Sequence, residues 1–508
     1  MIRYCLSGLV VIACLFAATG QAADRPPNVV LILADDLGYN DISLHGNTQV
    51  RTPNIDAIGS GGVWFTRGHT TAPVCAPSRA GLMTGRNQQL FGFEFVPGPA
   101  QLFINLAGGE DSLEQRGAIV VAPPGGQRTP VSDMGIPTSQ VNLAEMLKAA
   151  HYTTAIFGKW HLGNGPRFSP PFRGFDESEW SGQALYGDPD DPEMIDAKLP
   201  WDPIDAFLWS RLPFSINRGG RPFTPDVDMT TYQGSQGVRF IEDNKDKPFF
   251  LYMPFFAPHT PLQAPKRYYD RLDHIADHKT RVYYAMIECM DDAIGRITAK
   301  LRELGLEENT LVIFTSDNGA AAYTRIPNTN QPFRGAKLNY YQGGVVVPYL
   351  MRWPAGLPQG TVVHDRVSLM DIYPTIAAAV GTVLPEGEAI VTGVNLLPYI
   401  RGERTGAPRE ALVWRSGRYK AVWHGDYRLQ IDENQNKTVL YNVRLDIGER
   451  NNLVHAEPET VRLLEALLDR SESRFVEPLW TTPFYSPIPV DIWADGPPAD
   501  AEQMYFGG

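Results

Sequence analysis

Cys75 sits in the stretch TTAPVCAPSRAGLMTGR (residues 70–86), two residues before Pro77 and four before Arg79. The prolines favour a turn, and Ser78 to Met83 favours a helix, so the cysteine falls where a loop enters a helix. Backbone N–H groups and a partial positive charge gather there, which suits a nucleophile that meets an anion. A small apolar residue packed in a loop is the competing reading, because cysteine is often buried.

Four apolar runs elsewhere each end in groups able to hold a metal or an anion. Asn28 to Ala34 stops at Asp35-Asp36, and TTAIFGKWHLG carries Lys159 and His161. PFFLYMPFFAPHTP ends at His259, and NTLVIFTSDNGA ends at Asp317-Asn318. Lys159 and His161, two apart in an extended run, are expected on the same side of their strand; an edge lysine and a capping histidine are the bland alternative. Asp-Asp before Gly38 fits either a hard-cation site or a turn. Three aspartates and an asparagine together make an all-oxygen ligand set, suited to calcium or magnesium and unlike a zinc site.

The elements that must position these groups alternate. Buried-type strands are expected at Asn28–Ala34, in TTAIFGKWHLG, PFFLYMPFFAPHTP and NTLVIFTSDNGA, and in VVVPYLMRWPAG after the Lys337 loop. Helices are expected at Asn54–Gly59, Val141–Ala150, Met229–Asn244, Thr280–Leu304 and Asp371–Gly381, by apolar spacing. This rhythm predicts an α/β fold: a large, mostly parallel mixed sheet with helices on both faces. After about Arg401 the pattern turns to period two, with turn residues at His424–Asp426 and Glu433–Asn436, and then to an amphipathic helix at Pro458–Phe475. That predicts a smaller C-terminal α+β domain with a short antiparallel sheet. The expected division is a catalytic domain over 23–400 and a C-terminal subdomain over 401–508, closing in an irregular tail from Val476.

Two regions are less regular. Phe95 to Pro137, rich in Gly and Pro, reads as an inserted loop or hairpin bordering the cleft. Pro166 to Arg221 carries Trp180, Tyr186, Trp201 and Trp209 among acidic residues and prolines. Such aromatics suit the wall of a carbohydrate site and loop packing equally.

The 508-residue chain begins with Arg3, a short apolar run and GQAAD, the pattern of a secretory signal cut near Ala22. A lipoprotein signal ending at Cys14 is a weaker reading, since apolar sequence continues past it. Cleavage removes Cys5 and Cys14 and leaves Cys75 and Cys289; Cys289 falls on a helix at apolar spacing and reads as a buried thiol. The net charge of -12 argues against bulk attraction to nucleic acid.

In PNVVLILADDLGYNDIS, TPNIDAI, CAPSRAGLMTGR, GKWHLG, APHTP, SDNG, RGAK and LYNVRLDIGERNNL the chain resembles the type I sulfatases of the alkaline phosphatase superfamily, over nearly its whole mature length. The resemblance implies that Cys75 is oxidised to formylglycine by a maturation enzyme before export, and that Asp35, Asp36, Asp317, Asn318 and the modified Cys75 bind one calcium ion, magnesium being the less suited ion. It implies that Asp317 helps deprotonate the attacking hydroxyl and that His161 takes the proton driving sulfate release. His259 and Lys337 would face the leaving oxygen, while Arg79 and Lys159 hold the formylglycine and the sulfate oxygens. The implied substrate is a sulfated carbohydrate and the implied location periplasmic or secreted, without stable membrane association. A phosphate or phosphonate monoester hydrolase on the same scaffold, and a catalytically silent binding protein, are the alternatives. One departure stands out: the family commonly carries Glu where this chain has Gln342 before Gly343-Gly344, so a charge partner is lost.

Overall fold

The computed structural model describes residues 25–122 and 128–507; the expected signal segment lies outside them. The main sheet has ten strands. In chain order they are β1 (Asn28–Ala34), β2 (Val63–Phe65), β3 (Thr153–Lys159), β4 (Glu177–Ser181), β5 (Ile216–Arg218), β6 (Arg221–Phe223), β7 (Phe249–Pro254), β8 (Thr310–Ser316), β9 (Tyr349–Arg352) and β10 (Thr361–Val363). Their spatial order is β10-β2-β9-β8-β1-β7-β3-β4-β5-β6. The central run β8-β1-β7-β3-β4 is parallel, whereas β9 pairs antiparallel with β8 and β2.

β1 lies at the centre because it can be buried on both faces. All seven of its residues are buried; Val30, Ile32 and Ala34 enter one core, and Val29, Leu31 and Leu33 the other. Each large apolar side chain so buried is worth about 1.5–3 kcal/mol.

Helices α1 (Cys75–Thr84), α2 (Leu143–Ala149), α3 (Pro203–Arg211), α4 (Met229–Asp243), α5 (His278–Glu303) and α6 (Ile372–Val380) complete this layer. Residues of α4 and α5 pack into the core on one face of β1, and those of α1, α2 and α6 into the core on the other. Side chains stop the frayed N-termini: Asp228 accepts from the Thr231 N–H, Asp277 from the Thr280 N–H, and Asn142 with Glu145 forms a capping box. Cys289 is buried in α5, with Sγ 3.5 Å from Asp228 Oδ1.

The C-terminal part forms a four-stranded antiparallel sheet, β11 (Ala411–Ser416), β12 (Tyr419–His424), β13 (Tyr427–Asp432) and β14 (Lys437–Asn442), with α7 (Pro458–Glu472). The tail is not irregular. Phe484–Pro489 pairs with Gln503–Gly507 and with Ile119–Val120 of the insertion, so pairing with a distant segment supplies the order that local propensity lacks. The insertion itself holds two short helices, Ala100–Leu106 and Glu110–Gln115, rather than a plain loop or hairpin.

Gln342 ties the segment after Lys337 to the turn that follows β14. Its N–H donates to Glu449 Oε2 at 2.8 Å and its Nε2 donates to the Ile447 carbonyl at 3.0 Å. A carboxylate could not make the second bond and would stand beside another carboxylate. Glu449 faces Arg428 Nε at 3.7 Å, and that guanidinium lies 5.2 Å from the ring of Trp414 and 5.5 Å from that of Trp423. Burial pushes the Glu449 carboxyl up to about 7, against the pull of Arg428.

A raised acid favours the folded state while it stays protonated, so this contribution is full below the unfolded pKa near 4.5 and is lost as pH rises through about 7. Glu449→Gln is therefore expected to lose less melting temperature than wild type between pH 5 and pH 8. Calorimetric scans at the two pH values, giving equal losses for both proteins, would contradict the assignment.

Candidate active site

The site lies at the carboxyl ends of the parallel strands, where open α/β sheets gather ligands. β1 delivers Asp35 and Asp36, β3 delivers Lys159, and β8 delivers Asp317 and Asn318. The loop after β7 brings His259, and Cys75 is the first residue of α1, with Val74 as its N-cap. Every residue of α1 is buried, which holds the cysteine in one place.

Four residues offer ligand atoms within 4.8 Å of one another: Asp35, Asp36, Cys75 and His259. Cys75 Sγ lies 3.3 Å from Asp35 Oδ1 and 3.6 Å from Asp36 Oδ1. Asp317 Oδ1 accepts from the Asp36 N–H at 3.2 Å, and Asn318 Nδ2 donates to Asp36 Oδ1 at 2.7 Å. Asp36 itself takes a left-handed backbone, φ 63°, uncommon outside glycine and frequent at functional sites.

Three cations face the three carboxylates. Arg79 is completely buried; its Nε and Nη2 both lie 2.8 Å from Asp317 Oδ2, Nη2 lies 3.5 Å from Asp35, and Nη1 donates to the Lys159 carbonyl. Lys159 Nζ lies 2.6 Å from Asp35 Oδ2, and Lys337 Nζ 2.8 Å from both Asp36 oxygens. Charges thus sum to zero before any ion is added.

The protonation states follow. Burial would raise Asp35 and Asp36, but Lys159 at the first and Lys337 at the second, with His259, outweigh it and hold both below the usual carboxylate range. Burial wins at Asp317, raising it to about 7 despite Arg79, with Asp35 adding to the rise. Burial, then Asp317, pushes the Cys75 thiol well up, so an unmodified cysteine here is a protonated thiol and a poor nucleophile. His259 falls to about 4, chiefly through burial. Its Nδ1 lies 2.6 Å from the Thr260 carbonyl, which assigns the proton there and leaves Nε2 to accept from Lys337 at 3.3 Å.

His161 is where the sequence expectation fails. β3 ends at Lys159, and His161 has φ 60°, so the two are not successive same-side positions of one strand. Its Nδ1 is buried without a partner, and burial with the nearby Lys159 and Arg79 charges lowers it well below the usual range. The end of the insertion runs alongside, with the Ile136 N–H donating to the Leu162 carbonyl and Gly135 bridging Gly163.

Tyr323 and Gln183 lie outside the sequence expectations, and Tyr186 enters them only among the aromatics of 166–221. The Tyr323 hydroxyl lies 3.1 Å from Asp36 Oδ2 and 3.5 Å from Lys337 Nζ. Gln183 Nε2 lies 3.3 Å from His259 Nδ1, and the Tyr186 hydroxyl donates to the carbonyls of Phe256 and His259. Only the closeness of Tyr323 to the Asp317-Asn318 motif was a usable signal. Among the aromatics of 166–221, Trp180 and Tyr186 are buried packing residues and Trp201 is exposed.

Residues 27–382 match the Sulfatase family model. The chain belongs to the sulfatase family. It is 32% identical over 418 residues to mouse N-acetylgalactosamine-6-sulfatase, covering 80% of this chain and 72% of that protein. It is 30% identical to human arylsulfatase A, covering 89% and 88%. The solved structure of Ps i-CgsB superposes with a TM-score of 0.74 at 27% identity, covering 90% and 95% of the two chains. A phosphonate monoester hydrolase of Agrobacterium radiobacter shares the fold, with a TM-score of 0.59 at 20% identity. As a sulfatase the protein is a sulfuric ester hydrolase, and the family implies a formylglycine and a divalent metal.

The donor set fits such an ion. Asn318 Oδ1 is fully buried without a partner while its Nδ2 faces a carboxylate; rotating the amide would add a fourth oxygen to the three carboxylates, as a hard cation requires.

Arg79 is the counter-charge of Asp317 and also reaches Asp35. Arg79→Ala is expected to cost about 3–5 kcal/mol of stability, as for any broken buried pair, measured by urea unfolding. A loss below about 1 kcal/mol, the value of an exposed pair, would contradict this.

Proposed function

We propose that the protein hydrolyses a sulfate monoester carried on a carbohydrate, using a formylglycine made from Cys75 and one calcium ion. The observation that carries this reading is the position of Cys75: its terminal atom touches both Asp35 and Asp36 in a pocket that also holds three cations. A protonated thiol has no use there, whereas the hydrated aldehyde offers two hydroxyls on one carbon, one to attack sulfur and one to release sulfate. The calcium ion, held by Asp35, Asp36, Asp317, Asn318 and the modified Cys75, would supply positive charge beside the attacking oxygen and the sulfate.

The chain's own residues divide the remaining work. Asp317 is placed to draw the proton from the attacking hydroxyl, and Arg79 fixes its carboxylate. Lys159 and Arg79 present positive charge to the sulfate oxygens. Lys337, which Asp36 holds protonated well above the lysine range against burial, faces the leaving oxygen as proton donor, and neutral His259 orients it. His161, with a free buried Nδ1, is placed to take the proton during sulfate release. Adding a divalent ion to a balanced cluster leaves the pocket two units positive, which suits an anionic ester inside an acidic protein.

The carbohydrate assignment rests on relatives: N-acetylgalactosamine-6-sulfatase at 32% identity, and Ps i-CgsB, whose structure in complex with k-i-k-neocarrahexaose matches at 26% identity. The leader expected at 1–22 would direct export to the periplasm or beyond after maturation. Among the described residues no helix is long and apolar enough to cross a membrane.

Cys75→Ala and Asp317→Ala are each expected to lower turnover of a sulfate ester by at least a thousandfold with an unchanged circular dichroism spectrum. Mass mapping of the peptide covering Thr71 to Arg86 tests the modification; unmodified cysteine in active protein would overturn it. Turnover of a matched phosphate ester well above the sulfate ester would favour the phosphohydrolase reading instead. Calcium is expected to raise the melting temperature more at pH 8 than at pH 6, because Asp317, raised to about 7, must lose its proton to bind. An equal shift at both values would count against Asp317 as a ligand.

A further inference from the structure

One arm of the site leads outward from Asp36. Tyr323 meets Asp36 through its hydroxyl, and its carbonyl accepts from Trp201 Nε1 at 2.9 Å. Trp201 is 38% exposed, so the indole that this bond anchors stands at the surface while its anchor reaches the reacting groups. The segment lies close to the site: Asp202 is raised to about 6 by burial, and Lys337 is among the charges that oppose the rise.

Arg325, two residues beyond Tyr323, lays its guanidinium over the Trp201 ring at 4.5 Å. Gly496 borders the same guanidinium: a Cβ there would come within 2.9 Å of Arg325 Cζ and Nη2, so the backbone of the tail passes close to it. Arg325 also holds a left-handed backbone, φ 54°, a conformation uncommon outside glycine. Among the described residues no carboxylate lies within 4.0 Å of it, and the hydrogen bond it makes is a 3.5 Å contact to the Asp495 carbonyl. A guanidinium set over an aromatic ring and, among the described residues, without an anionic partner is available to an anion from outside the chain.

We propose that Trp201 and Arg325 form a subsite for the sugar adjoining the sulfated one, with Arg325 binding a second anionic group, carboxylate or sulfate, on that sugar. The inference rests on the sulfatase reading and adds to it that the preferred substrate is polyanionic. The indole offers an apolar face to a sugar ring, and the planar fork matches the oxygens of either anion.

The test compares wild type, Arg325→Ala and Arg325→Lys on para-nitrophenyl sulfate, on a chondroitin-6-sulfate disaccharide bearing a carboxylate, and on an iota-carrageenan tetrasaccharide bearing further sulfates. Arg325→Ala is expected to lower kcat/KM at least tenfold on the oligosaccharide that wild type accepts, through KM, and to stay within twofold of wild type on the aryl ester. Arg325→Lys should recover part of the loss, and the accepted oligosaccharide tells carboxylate from sulfate. An equal loss on the aryl ester, or none on either oligosaccharide, overturns the subsite. Calorimetric titration of both oligosaccharides into the Cys75→Ala protein, with and without Arg325→Ala, reads binding apart from turnover. Should wild type cleave no sulfate ester, the sulfatase reading falls, and the subsite stands or falls on whether Arg325→Ala weakens binding; no binding of either oligosaccharide by Cys75→Ala overturns it.

Discussion

Three carboxylates share one buried pocket at the carboxyl ends of the central strands, and much of the surrounding structure answers that constraint. Asp35, Asp36 and Asp317 are each at most 3% exposed. Like charges so close cannot all ionise without compensation. The chain supplies Arg79 from α1, Lys159 from the end of β3 and Lys337 from a loop, one for each carboxylate. Asp317 shows how nearly the balance fails, because burial still lifts it to about 7. A cluster held near neutrality by fixed cations, with an amide oxygen left unpartnered, is poised to gain from a divalent ion.

The same constraint explains why so much of the site is rigid. Arg79 can hold three partners only if α1 does not move, and α1 is buried along its whole length. Gly85, with φ 61°, ends α1 against the ring of Tyr373 on α6. Lys337 sits five residues before Gln342, which is tied to Glu449 and Ile447 of the C-terminal part. The Tyr340 N–H also donates to the Tyr419 hydroxyl on β12, so the C-terminal part braces the loop that positions an active-site cation, although it contributes none of the charged residues of the pocket.

Most of the central architecture was legible because it rests on local pattern. Seven consecutive buried residues ending in Asp-Asp mark β1 in any context, and the same holds for β7 and β8. The period-two pattern of 411–442 could only be an antiparallel sheet with short turns. The tail and the insertion escaped because their strands exist only by pairing with each other: Phe484–Pro489 lies more than 360 residues from Ile119–Val120, and neither holds a pattern of its own. His161 was misplaced for a related reason, since a strand end is set by the backbone turn that follows it and not by residue spacing.

By itself the sequence determined the α/β class, the strand ends that carry Asp35, Asp36, Lys159, Asp317 and Asn318, and the family that these motifs identify, whereas the strand expected to end at His259 stops at Pro254 and leaves His259 in the following loop. Those features depend on hydrophobic periodicity and on residue types at fixed spacing. Only the tertiary structure decided which cation answers which carboxylate, that Tyr323 touches Asp36, that Gln342 is tied to Ile447 and Glu449, and that Arg325 rests on Trp201. Each of these joins residues from separate elements whose pairing is set by packing, and packing is a property of the whole chain.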